Sequence, residues 1–208
     1  MNKMNLANKL TMLRIAIVPV LMLFMYLNNF WMRIFALLLF ILAAITDIYD
    51  GYFARKYKTI TSLGIFLDPL ADKLLMSAAF ISFVGLKELR IPAWMVILII
   101  TREFIITGLR TLAASQNISI PAKKSGKLKT TSQIVTVITL MLVLIVNAAL
   151  WRYYRIVPTE LLFSMETSKY LLGWMLVKMP FWLMLITTIF TVVSGVSYLK
   201  QHKALLKE

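Results

Sequence analysis

Thr46-Asp47-Ile-Tyr-Asp50-Gly51-Tyr-Phe-Ala54-Arg55, then eight residues, then Gly64-Ile-Phe-Leu-Asp68-Pro69-Leu-Ala-Asp72: these two runs hold every aspartate in a chain of 208 residues. Within each pair the aspartates are three or four apart, so each pair shares one face of a helix. An apolar run, Ile34–Thr46, leads into the first pair, and another, Leu74–Leu86, leads away from the second. Between the pairs, Gly51–Leu67 carries Arg55, Lys56 and Lys58 and is expected to form a polar turn. Two apolar helices joined there would be antiparallel neighbours. Their carboxylates would meet at one depth, near one surface of a membrane.

The rest of the chain asks for lipid as its solvent. Hydrophobic residues make up 60% of the sequence, above the roughly half that soluble domains carry. A bilayer span needs about 20 mostly apolar residues, and six segments qualify: Leu10–Tyr26, Met32–Tyr52, Ile65–Leu86, Ile91–Leu112, Thr130–Leu150 and Pro180–Leu199. The expected fold class is all-α, a polytopic membrane protein with six transmembrane helices in one domain over 1–208. A short N-terminal amphipathic segment, MNKMNLANKLTMLR, precedes them. No small-residue cleavage site follows the first apolar run, so that span is expected to be retained. Trp151–Lys178 reads as a mixed loop in which Leu161–Val177 forms a short interfacial helix. Glu166 and Lys169 interrupt it as a seventh span.

Charge sets orientation and excludes several functions. With the N-terminus in the cytoplasm, fourteen of the 23 Lys and Arg fall on that side and seven on the other. Lys73 and Arg102 fall inside spans. This bias makes both chain ends and both aspartate pairs cytoplasmic. A formal net charge of +14 suits anionic headgroups or anionic substrates. The basic residues are scattered among apolar spans and form no stripe, which argues against nucleic acid. Cysteine is absent, which removes disulfides, thiolate nucleophiles and thiolate metal sites.

A charge in hydrocarbon costs several kcal/mol and marks a polar cavity or a function. Four carboxylates in a small, half-dry space must be protonated, paired with cations or bound to metal. Oxygen donors without Cys favour Mg2+ or Mn2+ over zinc, and the single histidine, His202, lies in the C-terminal tail. Two divalent ions about 4 Å apart assist in-line displacement at phosphorus. Taken alone, the pairs have plainer readings. Asp47 and Asp50 could be solvated at a helix end. Asp68 before Pro69 fits a helix N-cap with Pro at the first position, and Asp72 would then sit in the first turn. A cation transporter could use the same four carboxylates.

The two runs match D-x2-D-G-x2-A-R-x8-G-x3-D-x3-D at all eight fixed positions and both spacings. A fixed pattern of that length is far more specific than a short motif. By it the chain resembles the CDP-alcohol phosphatidyltransferase family. Four further stretches resemble the bacterial members that use glycerol 3-phosphate. They are Asn5-Leu-Ala-Asn8-Lys-Leu-Thr11-Met-Leu-Arg14, Asp68–Lys73, Arg102–Arg110 and Gly126-Lys127-Leu-Lys129-Thr130. The resemblance covers about residues 5 to 132, with Ala7 where a proline is usual. The last third matches only in being hydrophobic.

The resemblance implies a homodimer in a bacterial cell membrane, with a cytoplasm-facing site dependent on two Mg2+ or Mn2+ ions. The implied reaction moves the phosphatidyl group of CDP-diacylglycerol to glycerol 3-phosphate and releases CMP. Serine, inositol phosphate or phosphatidylglycerol are the other acceptors. Asp47, Asp50 and Asp68 would bind metal, and Asp72 would be the general base, touching the second ion as well. Gly51, Ala54, Arg55, Asn8, Thr11 and Arg14 would hold the CDP moiety. Read from the residues alone, Gly51 and Ala54 could be packing residues, Arg55 a surface charge and Asn8 a helix cap. The dianionic acceptor needs cations, for which Arg110, Lys127 and Lys129 are the candidates. Membrane topology or anionic lipid would explain them equally. Arg102 and Glu103 either pair inside the bundle or send Arg102 to the acceptor phosphate. Lys73 could offset the charge of Asp72.

Overall fold

The computed structural model describes residues 6–57, 62–115 and 124–201, with side chains described at 11–46, 71, 73–113 and 129–201. Among the described residues the only regular secondary structure is helix, with no strand. Clustering of its contacts gives two compact units, Met1–Gly85 with Leu144–Arg155, and Leu86–Val143 with Ile156–Glu208.

The first unit contains α1 (Leu6–Tyr26), α2 (Phe30–Tyr57) and α3 (Ser62–Gly85), and also the end of α5 (Lys124–Ala149) with the turn after it. Pro19 lies inside α1. Its missing N–H leaves one carbonyl to other partners, which membrane helices tolerate. Three residues separate α1 from α2. Asn29 closes that turn, its side-chain oxygen accepting the Trp31 N–H at 3.0 Å as a helix N-cap does. Thr11, Arg14, Leu21 and Met25 form the buried stripe of α1, and Arg33, Ala36, Phe40 and Ala43 that of α2. In α3 the buried residues are Ala71, Leu75, Ala78, Ala79, Ser82 and Phe83, with Phe80 between them. Alanine at so many of these positions lets the helix backbones approach closely.

The expected side-by-side pairing of α2 and α3 needs correction. Both pack chiefly on α1, and they touch each other only slightly. The polar turn expected over Gly51–Leu67 is also shorter than that, because α2 runs on to Tyr57 and α3 starts at Ser62.

The second unit holds α4 (Ala93–Ser115), most of α5, α6 (Pro158–Leu161), α7 (Thr167–Val177) and α8 (Met179–Gln201). Within it α4 packs on α8, α6 on α7 and α7 on α8. The expected interfacial helix over Leu161–Val177 is broken in two. Val157 is extended and Pro158 starts α6, as proline's fixed φ favours. Glu166 precedes α7, with Lys169 Nζ 2.6 Å from Glu166 Oε2 and Ser168 donating to Oε1 at 2.7 Å. These hydrogen bonds, that of Lys169 first, hold the Glu166 carboxyl below its usual range.

Leu23, Leu38, Leu42, Ile97, Phe190 and Val193 are among many large apolar side chains exposed on the helices. A polypeptide surface of that kind is stable against lipid. Two helices, Lys129–Tyr154 and Met179–Gln201, are long and apolar enough to cross a membrane. The apolar helical parts Thr11–Tyr26, Phe30–Thr46 and Lys73–Gly85 are shorter.

Candidate active site

Asp47, Asp50, Gly51, Ala54 and Arg55 all fall within α2, and Asp68 and Asp72 within α3. Both helices belong to the first unit and pack on α1, which carries Asn8, Thr11 and Arg14. The side chains of the four aspartates, of Asn8, Gly51, Ala54, Arg55 and of Lys127 lie outside the described residues. Among the described residues no group of His, Asp and Glu is placed to hold a metal ion.

The backbone removes two of the plainer readings. α3 begins at Ser62, so Asp68 lies well inside it and not at an N-cap. α1 begins at Leu6, so Asn8 is within the helix and not its cap. Thr11 is fully buried and Arg14 is 1% exposed. A guanidinium removed from solvent in an apolar unit is costly unless it has partners, and both residues have them.

A second polar constellation occupies the second unit. Lys129 of α5, 6% exposed, forms an ion pair with Glu103 of α4. Glu103 Oε1 also accepts from Arg102 Nη1 at 3.5 Å and Gln133 Nε2 at 3.4 Å. Gln133 Nε2 continues to Thr191 Oγ1 of α8 at 3.3 Å, and Arg102 Nη2 donates to Ser194 Oγ at 3.2 Å. A Cβ on Gly195 would meet Arg102 Cγ at 2.7 Å, so only glycine lets α8 lie this close to that side chain. Thr136 and Thr187 add a hydroxyl pair 2.6 Å apart. The question left by the sequence is answered: Arg102 and Glu103 engage partners inside the unit. Arg110 is exposed, its guanidinium 5.5 Å from the Tyr198 ring centroid. Of the expected acceptor ligands, Lys129 is therefore buried and already paired.

Gln133, Thr191 and Ser194 were not singled out from the sequence. The available signal is their spacing. Gln133 is one turn beyond Lys129, and Thr191 and Ser194 share a face of an otherwise apolar helix. Replacing Glu103 by Leu strips Lys129 of its carboxylate in a buried setting. The expected result is a loss of about 3 kcal/mol, read as a lower melting temperature in detergent. An unchanged melting temperature would show that the pair contributes nothing to folding.

Comparison with known proteins agrees with the aspartate pattern. The family model of CDP-alcohol phosphatidyltransferases matches residues 4–193. The CDP-diacylglycerol–glycerol-3-phosphate 3-phosphatidyltransferase of Bacillus subtilis is 45% identical over 150 residues, covering 66% of this chain and 77% of that protein. The protein of the same name from Rickettsia typhi is 44% identical over 138 residues, 66% and 76% of the two chains. That from Cereibacter sphaeroides is 37% identical over 142 residues, 66% and 63%. A match over nearly the whole length, enclosing both aspartate pairs, makes this chain an enzyme of the CDP-alcohol phosphatidyltransferase family.

Proposed function

We propose that the chain transfers the phosphatidyl group of CDP-diacylglycerol to glycerol 3-phosphate, giving phosphatidylglycerophosphate and CMP. One observation carries the reading. The relatives named for that reaction align at 44–45% identity, and the family's eight fixed residues are all present in the chain.

Helical register supports the aspartates as the reacting centre. The buried stripe Arg33, Ala36, Phe40, Ala43 advances by three and four residues. Continued at that spacing, it arrives at 47, 50 and 54. The α3 stripe of Ala71, Leu75 and Ala78, continued backward, arrives at 68 and 64, with 72 one turn before Leu75. On α1, Asn8 precedes buried Thr11 and Arg14 by the same step. By register, the motif positions fall in line with the buried stripes of the three helices.

Two Mg2+ or Mn2+ ions fit this donor set, which is all hard oxygen. Asp47, Asp50 and Asp68 would hold them, with Asp72 also in reach. When bound, the ions supply charge neutralisation at the diphosphate. The chain's own residues do the rest. Arg55 and Arg14 offer bidentate donors to CDP phosphates, Gly51 and Ala54 leave room for the nucleotide, and Asn8 and Thr11 offer it hydrogen bonds. Asp72 accepts the proton of the acceptor hydroxyl. The hydroxyl oxygen forms its bond to the phosphatidyl phosphorus, the bond to the bridging diphosphate oxygen breaks, and CMP leaves with that electron pair. Arg110, Lys127 and Lys129 are the cations assigned to the acceptor's phosphate, with Glu103 holding Lys129 in one orientation.

We assign the chain to a bacterial cell membrane as a homodimer with six spans, its aspartates facing the cytoplasm. The charge asymmetry of the sequence supports that orientation.

An acceptor panel tests the substrate. Purified protein in detergent with CDP-diacylglycerol and Mn2+ is given glycerol 3-phosphate, serine, inositol phosphate or phosphatidylglycerol, and CMP is followed. Glycerol 3-phosphate is expected to turn over at least about a hundredfold faster than serine, which lacks the phosphate that the assigned cations would bind, and faster than the bulkier inositol phosphate and phosphatidylglycerol. Equal or faster turnover with serine or phosphatidylglycerol would overturn the acceptor assignment. Ion flux in liposomes with no CMP release would favour a cation transporter.

A further inference from the structure

The first unit has a polar cavity at the end of α2 remote from the aspartates. Its volume is about 200 Å³, and Asn28, Asn29, Phe30, Trp151, Arg152 and Arg155 line it. The two asparagines lie in the turn between α1 and α2, while the two arginines lie just after α5. There the helix widens into a π turn over Leu150–Tyr154 and closes on Arg155, whose N–H donates to the Leu150 carbonyl. Arg155 adopts φ 55°, ψ 25°, a left-handed conformation disfavoured for a residue with a side chain. This turn lets two arginines three residues apart line a single cavity.

The chemistry of the lining is that of an anion site. Two guanidinium forks and two carboxamides are all donors to phosphate oxygens. Arg152 and Arg155 form no ion pair among the described residues; each lies over a ring instead, Arg152 5.8 Å from the Tyr153 centroid and Arg155 5.6 Å from that of Trp151. The sequence of this unit contains no acidic residue besides the four aspartates. Asp47 lies about 26 Å from Phe30 along α2, at about 1.5 Å per residue, close to the roughly 30 Å thickness of a bilayer core. The cavity and the aspartates are therefore one membrane thickness apart. Trp31, Trp151, Tyr153 and Tyr154 are all exposed at this end, and Tyr153 packs edge-on against Phe30 at 5.8 Å. Tryptophan and tyrosine gather in this way at the headgroup layer.

We propose that this cavity binds the phosphate of an anionic phospholipid in the leaflet opposite the aspartates. The depth and the aromatic residues favour a lipid headgroup over free phosphate, since headgroups are the phosphates concentrated there. Both arginines are exposed and so can reach a headgroup from the cavity. This second lipid site is independent of the acceptor and of the transfer reaction.

The test uses the full chain in neutral detergent and native mass spectrometry, with phosphatidylglycerol, phosphatidylcholine and inorganic phosphate as probes. The wild type is compared with R152A/R155G. Glycine suits the left-handed backbone at 155 and Arg152 is exposed, so this variant is expected to melt with the lipid-free wild type; R155G alone serves if the double variant does not. Phosphatidylglycerol entering at the aspartates is common to both proteins and cancels. The wild type is expected to retain phosphatidylglycerol at least about tenfold more strongly than the variant, since even one of the two charged phosphate contacts removed is worth about that much. Phosphatidylcholine should show no difference, and R152K/R155K should bind between the wild type and R152A/R155G, since lysine keeps the charge but not the fork. Equal retention of phosphatidylglycerol would overturn the proposal. So would an equal loss of phosphatidylcholine, which marks general lipid packing, or capture of inorganic phosphate with no phosphatidylglycerol difference, which marks a soluble-anion site.

Discussion

Asp72→Asn is expected to lower turnover by about three orders of magnitude or more while leaving affinity for CDP-diacylglycerol within a few-fold. Asparagine has the size and shape of aspartate and can still offer an oxygen, but it cannot accept a proton at neutral pH. A positioned base contributes roughly a hundredfold to ten-thousandfold, and Asp72 is the base assigned here. Loss of its charge would also weaken any contact with the second ion, which places the expected effect toward the upper part of that range. The measurement is single-turnover CMP release set beside binding of the CDP-lipid. Near-normal release would remove Asp72 from the proton-transfer role. Loss of binding equal to the loss of rate would instead make it a ligand for the substrate complex.

Chelation is expected to produce an effect of similar size. EDTA should bring transfer to background, and added Mg2+ or Mn2+ should restore it. Two carboxylates about 5 Å apart repel by about 3 kcal/mol at an effective dielectric of about 20, and four of them magnify that penalty. In the proposed site, carboxylates left without cations would favour proton uptake, and a protonated Asp72 could not act as a base. Asp47→Asn or Asp50→Asn should raise the metal concentration needed for half-maximal rate, because each removes one anionic donor. Full activity in chelator would end the metal assignment. Restoration by Mn2+ at wild-type concentration in both variants would move the ligands elsewhere.

The six apolar segments of the sequence correspond to α1–α5 and α8, and the ends remote from the aspartates were the more legible. Leu10–Tyr26 and α1 end at the same residue, and Pro180–Leu199 lies within α8. The opposite ends were read short. α2 extends five residues past Tyr52, and α5 begins at Lys124 rather than Thr130. Hydropathy reports where the solvent changes, whereas a helix ends where its backbone hydrogen bonds do. The charged sequence Asp50–Tyr57 satisfies the second condition without the first. The aspartate pattern was legible because it is local. The Glu103 network was not, because its partners Lys129, Gln133, Thr191 and Ser194 lie on two other helices, α5 and α8. No spacing rule links Arg102 to a serine 92 residues away. The packing of α2 and α3 on α1 was hidden for a similar reason: a connection of a few residues suggests that two helices are close, but not that each packs mainly on a third.

The length of α2 bears on how such an enzyme meets its substrates. Its 28 residues span about 42 Å, some 12 Å more than a bilayer's hydrocarbon. If, as proposed, Phe30 lies at one boundary, Asp47 and Asp50 would come to the other, and the remaining turns would stand among headgroups and water. A two-tailed donor anchored there diffuses in a plane. Its supply is set by the fraction of that plane it occupies, not by how much is present per litre. Diluting it with inert lipid would starve the enzyme, while adding buffer would leave the donor's supply unchanged and thin out only the water-borne acceptor.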